Sequence, residues 1–166
     1  DTFLCTGSVV SIGGNPTGPA GSTYVWSPGA TLNNSTAANP AAGPVAPTDY
    51  VVTVTDVNGC IAKDTVHVDV VPLPFADAGV DINKCDMDTV ILGGTPSGLA
   101  GSTYSWSPAA DLSGSTVANP LAWPTANTTY VLTITDINGC SNTDIIKVTI
   151  TPLIIINASP DDTITK

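Results

Sequence analysis

Short stretches in which apolar and polar residues alternate run through the chain, separated by Gly, Pro and Asn at intervals of about ten residues. In Asp49–Asp56 (DYVVTVTD), Tyr50, Val52 and Val54 alternate with Val51, Thr53 and Thr55, the period-two pattern of a half-buried strand. The following Asn58-Gly59 pair tolerates positive φ and Asp56 can cap the reversal, so a hairpin is expected. The return strand places Val66, Val68 and Val70 on one face and Thr65, His67 and Asp69 on the other. Earlier strands are expected over 9–12, 22–27 and 36–42. This spacing of strands and turns predicts an all-β sandwich.

The pattern then recurs. An offset of 80 aligns the two halves without a gap: Cys5 falls on Cys85, Tyr24 and Trp26 on Tyr104 and Trp106, Tyr50 on Tyr130, and Cys60 on Cys140. The second copy keeps the alternation, with Tyr130, Leu132 and Ile134 inward on one strand and Ile146, Val148 and Ile150 inward on its return. The chain therefore reads as two tandem modules, 1–72 and 81–152, joined by a short Pro-containing linker at 73–80. Residues 153–166 read as a second linker and the start of a further repeat, which makes the chain an excerpt from a longer array.

Composition narrows the function. There are 14 acidic residues, all Asp, against 4 Lys, for a net charge of -10. Such a surface repels nucleic acid, whose binding requires Lys and Arg at the phosphates. The absence of Glu, Gln and Arg, with abundant Thr, Val, Gly and Pro, argues against helices. Leu153–Ile156 is the longest candidate apolar run and falls far short of the roughly 18 residues a membrane span needs.

Catalytic chemistry finds few candidates. His67 is the single His, lies on the outward face of a strand and is Lys147 in the second copy, so no triad can repeat. The segments GGNPTG and GGTPSG lead from strand to strand without a helix or Lys to hold phosphate, and they read as turns. Four cysteines, two per module at identical spacing, predict disulfides Cys5–Cys60 and Cys85–Cys140 in an oxidising compartment. Each such bridge would contribute about 4 kcal/mol. A zinc site needs four ligands, and one His leaves each copy short.

Two further sites are weighed. Asp77, Asp81, Asp86 and Asp88 crowd the junction between modules, where calcium would relieve carboxylate repulsion; Asp56 with Asn58, and Asp136 with Asn138, offer too few oxygens for it. Trp26 and Trp106 read as core, and Tyr50 and Tyr130 as candidates for tying a corner through the hydroxyl. Trp123 replaces Gly43 of the first copy, so the module does not require it. It is a candidate sugar platform, a contact to a neighbouring copy, or cover for a local apolar gap.

The phrases YVWSP and YSWSP, the ANP triplets, DYVVTVTDVNGC with TYVLTITDINGC, and the linker ADAGVD together resemble the PKD-like, immunoglobulin-like tandem repeats of Bacteroidota cell-surface adhesins exported by type IX secretion. The resemblance implies two immunoglobulin-like sandwiches end to end. It further implies a non-catalytic extracellular stalk whose partners are neighbouring repeats and, in places, surface glycans or lateral copies. A carbohydrate-binding module using exposed aromatics is the alternative. Exported proteins of that group carry O-glycans at Asp followed by Ser or Thr and an apolar residue. This points to Thr65, Thr89 and Thr163 as modification sites, the first two outward by strand period.

Overall fold

The computed structural model describes residues 1–152, and every regular element among them is a strand. None of the described residues forms a helix long and apolar enough to cross a membrane. The first module contains β1 (Thr2–Cys5), β2 (Val10–Ser11), β3 (Thr23–Ser27), β4 (Ala41–Ala42), β5 (Thr48–Thr55) and β6 (Ile61–Val71). The second repeats them as β7 (Ile82–Cys85), β8 (Val90–Ile91), β9 (Thr103–Ser107), β10 (Leu121–Ala122), β11 (Thr128–Thr135) and β12 (Ser141–Thr151). Each module is a β-sandwich of a four-stranded sheet, ordered β1-β6-β5-β3 or β7-β12-β11-β9, and a two-stranded one, β2-β4 or β10-β8.

The period-two reading holds on the inner faces. Tyr50 and Val52 are buried and Val54 half-buried, and across the hairpin Val68 is buried between half-buried Val66 and Val70. In the second module Tyr130, Leu132, Ile134, Ile146 and Val148 are all buried. Trp26 and Trp106 close the two cores, as expected, with each indole N–H donating to a loop carbonyl, Ala37 O or Val117 O at 3.0 Å. A buried Trp needs that acceptor, because an unpaired N–H would forfeit its hydration.

The hairpin turn also forms as expected. Gly59 takes φ +82° and Asp56 Oδ1 accepts the N–H groups of Asn58 and Cys60, both at 2.8 Å. The strand expected over 36–42 shrinks to Ala41–Ala42. Asn34 Oδ1 accepts both the N–H and the hydroxyl of Thr36, which holds that stretch in a turn, and Pro40 has no N–H to give a ladder.

Residues 73–80, read from the sequence as a linker, behave otherwise from Pro74 onward. Ala78 is fully buried in the core of the second module, and the compact unit containing that module begins at Pro74. The reason is hydrogen bonding as well as burial. Asp77 N–H donates to Ser97 O at 2.9 Å, Gly93 and Gly94 N–H donate to Ala78 O and Asp77 O, both at 2.9 Å, and Ala78 N–H donates to Asp144 Oδ2 at 2.8 Å.

Candidate functional site

The first module carries a groove of about 480 Å³ between the Gly13–Pro19 loop and the open face of β5 and β6. Its wall is fixed locally. Asn39 Nδ2 and the Thr17 hydroxyl both donate to Gly14 O, at 2.9 and 3.0 Å, and Thr17 also donates to Ala38 O at 2.9 Å. Gly13 is required here, since its φ is +109° and a Cβ would crowd Ala38 O. The floor is Val52, Val54 and Val66, and Asp64 stands at the rim. Such a site offers backbone N–H donors, an apolar floor, the carboxylates of Asp1 and Asp64 and the Lys63 ammonium; its lining holds no thiol or imidazole. The Gly-rich loop was legible in the sequence only as a turn. Its role as a wall depends on the long-range bond from Asn39.

The cysteines are paired differently from the expectation. Cys5 bonds Cys140, with 5.5 Å between the Cα atoms, and Cys60 and Cys85 are exposed free thiols. The register of the sheet rules out Cys5–Cys60. β1 runs parallel to β6 and sets Cys5 opposite Val71, whereas Cys60 precedes Ile61 at the other end of that 11-residue strand. At about 3.3 Å per residue the two are some 35 Å apart, against the roughly 7 Å a disulfide spans. The same register puts Cys85 opposite Thr151, at the far end of β12 from Cys140.

The junction carboxylates do not converge either. Asp77 Oδ1 accepts Gly79 N–H at 2.9 Å, Asp81 Oδ1 accepts Lys147 N–H at 2.9 Å, and Asp86 Oδ1 accepts Met87 N–H at 3.0 Å. At Asp88 it is the backbone carbonyl that takes a cation, Lys84 Nζ at 2.9 Å. Among the described residues no three His, Cys, Asp or Glu side chains gather as a metal site. Three of the four carboxylates are thus taken up singly by backbone N–H groups, and calcium is left without a cage of six to eight oxygens.

Trp123, Thr65, Thr89 and His67 stay at the surface. Trp123 follows β10 with 42% of its surface exposed, its backbone N–H donating to Asp111 O at 2.9 Å. Thr65, in the fully exposed Ile61–Thr65 part of β6, and Thr89, which precedes β8, are both exposed, and Thr163 lies outside the described residues. His67 sits opposite Asp49 in the β5–β6 ladder, with Nδ1 2.6 Å from Asp49 Oδ1, in an exposed cross-strand pair. Tyr50 and Tyr130 differ, although both rings are buried. The Tyr50 hydroxyl meets the Thr31 hydroxyl at 2.5 Å, whereas the Tyr130 hydroxyl is buried without a partner. Burial, and secondarily the Asp111 carboxylate, raises the Tyr130 pKa above its ordinary value.

No family model matches this chain, and no curated protein does. Among solved structures, an I-band fragment of titin is 9% identical over 92% of this chain and 62% of its own length, with a TM-score of 0.37. A chimeric titin Z1Z2 tandem is 16% identical over 91% of this chain and 94% of its own, with a TM-score of 0.38. The SGBP-B protein of the Bacteroides ovatus mixed-linkage glucan utilization locus, solved with a mixed-linkage heptasaccharide, is 18% identical over 89% of this chain and 42% of its own, with a TM-score of 0.34. The chain spans less than two thirds of the titin I-band fragment.

Proposed function

We propose that this chain is a non-catalytic spacer, part of a semi-rigid extracellular stalk of a Bacteroidota cell-surface adhesin exported by type IX secretion. The observation that carries the reading is repetition without specialisation. At the offset of 80 most of the residues that build a core recur in identical or similar form, such as Trp26 and Trp106 or Tyr50 and Tyr130, Leu4 to Lys84 being the exception. His67 and Gly43 do not recur and become Lys147 and Trp123. A repeat kept for its core and free on its surface serves length rather than chemistry. The disulfide supports an oxidising location outside the cytoplasm. Thr65 and Thr89, exposed beside Asp64 and Asp88, suit O-glycosylation, and a glycan on the β6 face would hinder lateral pairing.

Small-angle scattering on two- and four-module chains tests the stalk: the maximum dimension should grow by a fixed increment per module. A compact four-module particle would defeat the reading. Trp123, with 42% of its surface exposed, favours glycan binding as the second reading. In that case a glycan array should respond to the protein and lose its signal on Trp123→Ala.

A further inference from the structure

The groove of the first module and the buried Pro74–Gly79 segment of the second occupy equivalent places. At the offset of 80, Gly93, Gly94, Ser97 and Asp144, which bind Asp77 and Ala78, correspond to Gly13, Gly14, Thr17 and Asp64, which line the open groove. In the second module the segment is stitched in by the bonds described above, and Asn142 Nδ2 adds one to Pro74 O at 3.0 Å. In the first, the Gly13 and Gly14 N–H groups have no backbone acceptor among the described residues.

Burial points the same way. Ile134 and Ile146 are sealed in the second module, whereas their counterparts Val54 and Val66 are only half-buried and lie open in the groove. From these observations we infer that the groove of the first module is a receiving site for an inter-module segment of the Pro74–Gly79 type, carried by another copy of this repeat. The occupant runs as an extended strand. It seats an Ala on Val54 and Val66, accepts from the Gly13 and Gly14 N–H groups, and donates an N–H to the Asp64 carboxylate.

The required chemistry is narrow. The seat of Ala78 has no solvent exposure, so a larger side chain there overlaps the core. Gly79 takes φ +90°, which favours Gly at that place. Within this chain the segment at 74–80, PFADAGV, already fills the second module, and its counterpart at the offset of 80, IIINASP at 154–160, also has Ala at the position of the seat, Ala158. Gly79 makes the first sequence the better probe.

Gly14 provides the block. Its φ is not in the left-handed region, and in the open groove a Cβ there meets Pro16 O at 3.0 Å, a tight contact that a small shift of the loop must relieve. At the filled site, a Cβ on Gly94 would overlap the Asp77 carboxylate. The test extends the full chain before Asp1 by the sequence LPFADAGV, reproducing the spacing of 73–80 before Asp81, and reads amide exchange by NMR. Gly13 and Gly14 should slow by about tenfold or more relative to the unextended chain. The same extension with Ala→Asp at the seat, or with Gly14→Val, should abolish the slowing while the Trp26 core stays protected. Unchanged Gly13 and Gly14 exchange in the extended chain would overturn the inference, as would slowing that survives Gly14→Val. If the unextended chain instead binds β-glucan oligosaccharides at these amides and the extension does not compete, the groove is a glycan site and the inference fails.

Discussion

The Tyr50 hydroxyl stands 2.5 Å from the Thr31 hydroxyl, and the repeat places Asp111 where Thr31 would serve Tyr130. The first module therefore satisfies its buried phenol and the second leaves it unpaired. Tyr50→Phe should cost about 1 kcal/mol, whereas Tyr130→Phe should be neutral or stabilising because it removes a buried polar atom with no partner. Amide exchange, read separately in β5 and β11 of the intact chain, distinguishes the two. Equal losses from both substitutions would contradict the hydrogen-bond pattern.

Asp56 should make the first hairpin turn acid-sensitive. The Cys60 N–H holds its carboxyl below the ordinary value of 3.8, with the Asn58 N–H adding to the shift. A lowered folded pKa means that the turn is stabilised at pH values above 3.8 and loses that stabilisation as pH falls through the lower folded value. The Asn58 and Cys60 amide shifts should titrate with a midpoint below 3.8, and Asp56→Asn should erase the titration. A midpoint at or above 3.8 would count against the cap.

Lys84 is an internal experiment in core design. It occupies the place of Leu4 and is only 5% exposed, and its ammonium is held by two carbonyls, Cys85 O at 3.3 Å and Asp88 O at 2.9 Å. Carbonyls compensate a buried cation less well than a carboxylate does. Lys84→Leu, which restores the residue of the first module, should therefore raise the stability of the second by about 1 kcal/mol or leave it unchanged. A loss of 2 kcal/mol or more, on the order of a broken buried pair, would show that the two carbonyl bonds outweigh desolvation.

The thiols give a direct chemical check. Non-reducing peptide mapping should recover Cys5 linked to Cys140, and Cys60 and Cys85 should alkylate without reduction. The offset of 80 gives Cys85 the role of Cys5 and Cys60 that of Cys140. Oxidised glutathione should therefore join Cys85 of one chain to Cys60 of another. One thiolate takes up a glutathionyl group and releases one glutathione; the second thiolate displaces the other. Recovery of Cys5–Cys60 and Cys85–Cys140 would refute the register described above.

Much of the fold was legible in the sequence because it is locally encoded. Alternation in DYVVTVTD identifies the buried face of β5, Asn58-Gly59 with Asp56 encodes the turn, and the offset of 80 doubles the module. Each depends on residues a few positions apart, or on comparison of the chain with itself. The disulfide and the groove depend on contacts between distant segments. Cys5–Cys60 looked natural for two cysteines at the ends of a hairpin-rich module. Only the parallel register of β1 on β6 places them at opposite ends of an 11-residue strand. PFADAG has the composition of a linker, and nothing local marks Ala78 as core. Its burial follows from the space between the Gly93–Gly94 loop and β12, which exists only after strands more than 40 residues apart have paired. Local pattern selected the strands, and their collective packing selected which strand ends meet and which segment fills the remaining gap.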